Sequence, residues 1–336
     1  MGERPAGLAA RYIRFAEEEA RGRSPLYEAL ARGIAADQGV LDFLLTVPPE
    51  KRQPNLLLAS VRHLFGTPAD WAHFRRTLLA NADAVRSHML SHSTQTNEPA
   101  RCATLLPVLA RLPQPLALVE VGASAGLCLL PDRYGYDYGR RLIRPDEPAA
   151  RHPVFACSAD ASTPLPASMP LIVWRAGLDL NPLDAAEPSQ AAWLETLVWP
   201  EQTERLANLR AALTIAAEQR PRIVKGDLLG DDLAKLCGEA PKDATLVVFH
   251  TAVLAYVADQ ADRLAFAERV TTLCDYWISN ETPRAFPEFA RRAGMPGAPG
   301  RFLLSVNGSP VAWTDPHGAA LEWLAANGSP LHQAGA

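Results

Sequence analysis

The sequence predicts an α/β fold in which a mostly parallel sheet ends in an antiparallel hairpin, behind a helical N-terminal region. Three observations lead there. No strand pattern occurs before about residue 112. Five short apolar, β-branched runs then follow, separated by segments long enough for helices. Finally, Asn307-Gly308 sits between two apolar runs, and Asn-Gly is the strongest short-range hairpin signal because both central residues of a type I′ turn need positive φ.

In residues 1–112, apolar positions recur at three and four over 11–20, and Ser24-Pro25 and Thr67-Pro68 each set a cap before a first-turn proline. The strands are expected at 116–121, 171–174, 222–224, 245–249 and 276–279, with the hairpin at 302–306 and 310–314. Helices are expected at 190–217, 231–237 and 260–273. The chain therefore divides into a helical cap region, 1–112, and an α/β domain, 113–336. Residues 131–168, rich in Pro and Gly and carrying Tyr134-x-Tyr136-x-Tyr138, read as an inserted hairpin or arm.

Composition narrows the function classes. The 336 residues carry 33 Lys plus Arg against 37 Asp plus Glu, a formal charge of −4 without a basic block, which argues against a nucleic-acid footprint. No apolar run reaches the ~18–20 residues that span a bilayer. Met1-Gly2-Glu3-Arg4 leads into a charged amphipathic pattern without a signal peptide's apolar core, so the cytoplasm is the expected compartment. Five scattered cysteines and eight histidines without His-Glu-x-x-His spacing point to buried thiols and no metal site. A small-molecule ligand is the expected partner.

The chemistry-bearing residues cluster at predicted strand ends, where open α/β sheets bind ligands. The first strand runs into Glu120-Val121-Gly122-Ala123-Ser124-Ala125-Gly126, an acid followed by a small-residue turn into an expected helix, where a ligand can approach the backbone and meet the amides of the helix N-terminus. It resembles the first motif of class I S-adenosylmethionine methyltransferases, with Ser124 in place of the middle glycine. Gly122-x-Ser124-x-Gly126 also matches the α/β-hydrolase nucleophile elbow, with Asp227 or Asp315 and His250 or His317 as formal triad partners. Against it, an oxyanion-hole segment and preceding strands are missing before residue 116.

The second strand leads to Asp179, the candidate ribose acid, because a carboxylate offers paired acceptors to vicinal hydroxyls. Asp137 is the alternative at the usual spacing, and a helix cap before Pro182 is the plain reading of Asp179. Gly226-Asp227-Leu228 looks like the methyltransferase motif whose acid meets the adenine amino group and whose apolar residue meets the ring. His250 follows the fourth strand as a candidate base, with Tyr256 beyond it; Asn280 and Glu281 end the fifth strand. The polar run 93–99, containing Gln95, Asn97 and Glu98, reads as a helix start or as a lid over the acceptor.

Together, Thr94-Gln95-Thr96-Asn97-Glu98, the stretch 120–130 with Asp132-Arg133-Tyr134, 174–184, Val198-Trp199-Pro200-Glu201-Gln202, 250–256 and 277–281 resemble the uncharacterised bacterial domain-of-unknown-function family 2332 over nearly the whole chain. Cys128 stands where the family pattern carries Asn. The resemblance implies a Rossmann-like class I methyltransferase fold; the strand-end motifs lead from there to S-adenosylmethionine as the expected cofactor and methyl transfer to a small-molecule acceptor as the expected reaction. Glu120, Gly122, Ser124, Gly126, Asp179, Asp227 and Leu228 would then hold the cofactor. His250 would act as base, and Gln95, Asn97, Glu98, Tyr256, Asn280 and Glu281 would line the acceptor. The alternatives are a catalytically degenerate methyltransferase fold acting as a binding or regulatory protein, and a serine hydrolase using Ser124.

Overall fold

The computed structural model describes residues 4–95, 97–146, 152–296 and 298–324. Its contacts define two compact units, one of residues 1–95 with 188–207 and one of residues 96–187 with 208–336. The boundary near 95 lies upstream of residue 112, because the helix Cys102–Leu109, buried at every position, belongs with the sheet.

The first unit is helical. Its helices are Pro5–Arg14, Pro25–Ala36, Gln38–Leu45, Pro54–Phe65, Trp71–Ala80, Ala82–Ser91 and Pro188–Leu197. Ser24 caps as the sequence predicts, its hydroxyl accepting the Tyr27 N–H at 3.1 Å. Thr67-Pro68 does not: the helix there starts at Trp71, with Asp70 accepting the His73 N–H at 2.7 Å. Pro200 divides the expected helix 190–217 into Pro188–Leu197 and Thr203–Gln219. The divider has its own task. Glu201 accepts hydrogen bonds from Ser24 Oγ at 2.7 Å and Leu26 N–H at 3.1 Å, and Trp199 donates to Asn55 Oδ1 at 3.0 Å while packing against Phe15 and Tyr27.

The second unit holds β1 (Leu116–Val121), β2 (Gly135–Asp137), β3 (Leu142–Ile143), β4 (Val154–Ala156), β5 (Ser158–Ala159), β6 (Ile172–Asp179), β7 (Arg222–Lys225), β8 (Thr245–Thr251), β9 (Tyr276–Glu281), β10 (Phe302–Val306), β11 (Ser309–Thr314) and β12 (Ala320–Trp323). Nine strands form one sheet in the order β5-β12-β11-β10-β9-β8-β1-β6-β7. The five strands from β7 to β9 pair in parallel, and β9 through β12 pair antiparallel. Asn307 and Gly308 turn the β10–β11 hairpin with φ of 47° and 74°. All six residues of β1 are buried, as a strand covered on both faces requires.

From β1 the chain order runs outward one way to β6 and β7, then restarts on the other side with β8 and β9. The order therefore reverses between β1 and β8, and such a switch point is where open α/β sheets take ligands. The arm forms a second, three-stranded sheet, β3-β2-β4, in which β2 meets β3 antiparallel and β4 in parallel. Its three alternating tyrosines are buried, and their phenols donate to the carbonyls of Leu127, Pro131 and Ala103.

In the helical unit, His88 and His92 stack at 3.9 Å, with His63 5.0 Å from His88 and Trp193 edge-on to all three. Burial, then the proximity of His92 and His63, lowers the His88 pKa to about 4. Because the unfolded chain takes a proton near pH 6.5 and the native imidazole only near 4, this contribution is whole above pH 6.5 and drains away as pH falls toward 4. Denaturant titrations at pH 7 and 4.5 should show the wild type losing about 2 kcal/mol more than His88→Gln. Equal losses would contradict a buried neutral imidazole.

Candidate functional site

The β1–β6 edge is organised around the loop 122–126. Gly122, Ser124 and Gly126 adopt positive φ of 74°, 50° and 73°, and the loop passes into the short 3₁₀ turn Leu127–Leu129. The α-helix expected after the loop is absent there, because Pro131 and the arm take over the chain. No helix dipole is therefore aimed at the loop.

Every amide of the loop already has an acceptor inside the chain. Gly122 and Ala123 N–H both reach the Leu178 carbonyl, at 2.8 and 3.2 Å, and Gly126 N–H reaches the Ala123 carbonyl at 2.6 Å. Ser124 N–H donates to Asp179 Oδ2 at 2.8 Å, and Ala125 N–H donates to Asn97 Oδ1 at 3.1 Å. Asn97 completes the clasp by donating from Nδ2 to Ser124 Oγ at 2.6 Å. A phosphate needs such amides free, so this loop is not an anion cradle.

The glycines are likewise explained by the chain itself. A Cβ on Gly122 would run into the Cγ2 methyl of Val253. One on Gly126 would come within 2.9 Å of Pro221, and one on Gly177 within 2.5 Å of Ala123. Gly122 thus lets the turn after β8 rest directly on the turn after β1. Val253 was not evident from sequence, where only the strand-end position of Gly122 could be read.

Acids dominate the rest of this edge. Glu120 is buried beneath the loop, and its Oε2 has no hydrogen-bond partner. Burial pushes its carboxyl well above the usual carboxylate range; Cys128 and Asp179 push the same way, while Arg101 pulls it down. Asp179 closes β6, with its second oxygen accepting the Asn181 N–H at 2.7 Å, so it ties two loops together and caps no helix. Asp227 is exposed beyond β7 and accepts the Leu229 N–H at 2.9 Å, with Leu228 half-buried beside it. Asp137 lies away from this edge in the small sheet, where it accepts the Gly139 N–H.

The turn after β8 is built around Glu281. Its Oε1 accepts from Val253 N–H at 2.8 Å, Leu254 N–H at 3.2 Å and His250 Nδ1 at 2.7 Å. His250 is fully buried, and its Nε2 accepts the Trp277 Nε1–H at 3.0 Å. Indole nitrogen can only donate, so Nε2 must be bare and the ring proton must sit on Nδ1. Both nitrogens are engaged, which makes His250 an orienting group for Glu281; it has no nitrogen left to act as the base expected from sequence. Ala252 holds φ of 58° in this turn, and Tyr256 is 64% exposed past it.

The polar run before the sheet is divided. Gln95 ends the helical unit, Thr96 lies outside the described residues, and Asn97 and Glu98 belong to the sheet unit. Glu98 is buried, accepts the Ala100 N–H and has Oε2 3.4 Å from His317 Nδ1. Asn280 is also fully engaged, accepting from Thr314 at 2.7 Å and donating to Thr104 at 3.4 Å. Arg101, which the sequence reading passed over, is buried and donates to the carbonyls of Pro316 and Thr251. Its only signal is a lone charge next to the apolar run 102–109.

The hydrolase arrangement does not assemble. Ser124 Oγ is held by Asn97, His250 is committed to Glu281 and Trp277, and His317 faces Glu98. Among the described residues no group of three or more His, Cys, Asp or Glu could hold a metal ion, all five cysteines are free, and no helix is long and apolar enough to cross a membrane.

The contact between the two turns gives a direct test. Gly122→Ala should cost about 3 kcal/mol, the sum of left-handed backbone strain and the clash with Val253. In a Val253→Ala background the same change should cost only about 1 kcal/mol, the backbone part alone. Denaturant midpoints of the four proteins measure this coupling, and additive costs would contradict the contact.

No curated protein and no solved structure matches this chain. Residues 9–323 do match the family described as "Uncharacterized protein conserved in bacteria (DUF2332)", and the chain belongs to that family.

Proposed function

We propose that the protein binds S-adenosylmethionine at the β1/β8 edge and transfers its methyl group to a small-molecule acceptor. The observation that carries this reading is the chemistry left at the edge once the loop amides are satisfied. Acids stand at or just beyond the ends of β1, β6, β7 and β9, namely Glu120, Asp179, Asp227 and Glu281. Of these, the half-buried Asp179 and the exposed Asp227 repel a dinucleotide's phosphates and suit a ligand carrying hydroxyls and positive charge, while burial favours the neutral form of Glu120. The large apolar residues Leu180, Leu229 and Tyr256, each exposed in a loop after β6, β7 or β8, offer surface to a flat ring.

The donor set fits that cofactor. The unpartnered Glu120 Oε2 is free to meet a polar hydrogen, Asp179 keeps lone pairs beyond the two amides it accepts, and Asp227 with Leu228 offers an acceptor beside an apolar side chain. When bound, the cofactor supplies an electrophilic methyl group on a sulfonium. The protein's own part is positional. The Asn97–Ser124–Asp179 clasp fixes the loop, the Val253 turn fixes the neighbouring edge, and holding the acceptor in line would supply most of the rate gain.

One observation favours a second reading. Val253 already fills the space that Gly122 leaves, which supports a catalytically degenerate fold acting as a binding or regulatory protein. Calorimetric titration with S-adenosylmethionine and S-adenosylhomocysteine separates the readings. Micromolar binding, weakened at least ten-fold by Asp227→Ala, is the expected result. Absence of binding to both ligands would sink the cofactor assignment, and binding without turnover across acceptors would favour the second reading. A fluorophosphonate probe should leave Ser124 unlabelled.

A further inference from the structure

We propose that Glu281 Oε2 is the anchor for an ammonium group on the acceptor, held in place by His250 and Trp277 as positioning residues. The inference rests on the β1/β8 edge being a small-molecule site, and it names the acceptor's chemical class. Glu281 is 2% exposed, and its two oxygens are treated in opposite ways. Oε1 collects three N–H donors, whereas Oε2 has none.

The charge is also unbalanced. A buried carboxylate is retained when a cation pairs with it, and among the described residues only His250 lies within ion-pair distance. That imidazole is neutral, because Trp277 Nε1–H requires a bare Nε2. The nearby Arg263 is spent on the carbonyls of Leu254 and Val257. No described residue supplies that cation, so we assign it to a ligand.

Its type follows from the geometry. A guanidinium prefers both oxygens of a carboxylate, and here one is saturated. A metal ion needs several hard or imidazole ligands, and no such group of three exists among the described residues. A compact ammonium needs one oxygen. Protonated, it has no lone pair for the methyl group, so it is the handle by which the acceptor is held and the nucleophile lies elsewhere on that molecule.

The test uses the full-length protein with ¹⁵N-labelled histidine. Methylammonium chloride is titrated in, with sodium chloride and methanol as controls, and the His250 Nδ1–H resonance is followed. A saturable shift with methylammonium alone, weakened at least ten-fold by Glu281→Gln, is expected. Shifts that match sodium chloride, or equal affinity in Glu281→Gln, would overturn the proposal.

Trp277→Phe keeps the carboxylate and removes only the indole donor. Nδ1–H stays on Glu281 Oε1, but Nε2 loses its only hydrogen bond, so its ¹⁵N resonance should move and methylammonium should bind several-fold more weakly. An unchanged methylammonium affinity would assign Trp277 a packing role and overturn its positioning role. S-adenosylhomocysteine affinity is measured on the same samples. Loss of that binding with methylammonium binding intact removes the cofactor and leaves this anchor, and the reverse pattern removes the anchor alone.

Discussion

The architecture of the β1–β6 edge depends on one constraint: five consecutive amides of the loop 122–126 must all find acceptors in a buried place. Two go to a strand carbonyl, one to a carbonyl within the loop, one to Asp179 and one to Asn97. An unmade buried amide hydrogen bond costs about 1–3 kcal/mol, so this set of partners fixes the position of both side chains. Asp179 must end β6 beside β1, and the segment before the helix Cys102–Leu109 must run past the loop. With its dipoles spent internally, the loop has no field to offer an anion. The acids Glu120, Asp179, Asp227 and Glu281 stand at or just beyond the same strand ends.

The same economy governs the glycines. A glycine-rich turn after a parallel strand is usually read as room for a ligand, but here each bare Cα is filled by the chain: Val253 against Gly122, Pro221 and Ile223 against Gly126, Ala123 against Gly177. The Gly122–Val253 contact joins the turn after β1 to the turn after β8, the two strands between which the chain order reverses. That turn is in turn wrapped on Glu281 and strained at Ala252, whose left-handed backbone costs roughly 1–2 kcal/mol. The ends of β1, β8 and β9 are thus linked through contacts between their turns.

Much of the sheet was legible in the sequence for simple reasons. Near-continuous apolar runs with helix-length spacers mark a two-sided parallel sheet, and Asn307-Gly308 marks the hairpin, so seven strands were expected where they are found. Strands β2 to β5 and β12, of two to four residues, are not placed individually by the sequence, which shows β2 to β5 only as an inserted hairpin or arm and β12 not at all, because their pairing is decided by distant neighbours. Glu120 and Asp179 were readable as strand-end acids, but their partners were not. Nothing local shows that Asn97 crosses to Ala125, or that Trp277 and Glu281 share one imidazole. His250 illustrates the limit: its position at a strand end invites a role as base, and only the indole on Nε2 removes it.

The segments that carry the family resemblance separate into two physical kinds. Trp199-Pro200-Glu201 and the Asp132–Arg175 pair are mechanical. The first clamps helices of the helical unit through Ser24, Leu26 and Asn55, and the second is a bidentate ion pair at 2.8 and 2.9 Å that ties the arm's start to β6. The segments at 94–98, 120–126, 250–256 and 277–281 are different, since they hold a buried acid with an unpartnered oxygen on each of two strands. Packing alone gives no reason to keep a carboxylate where a glutamine or an apolar residue would avoid the desolvation cost. A chain built only to fold would spend its polar groups as the first kind does, on partners it already has. The second kind leaves Glu120 Oε2 and Glu281 Oε2 buried without a partner, at strand ends linked through the Gly122–Val253 contact, a cost that folding alone does not explain.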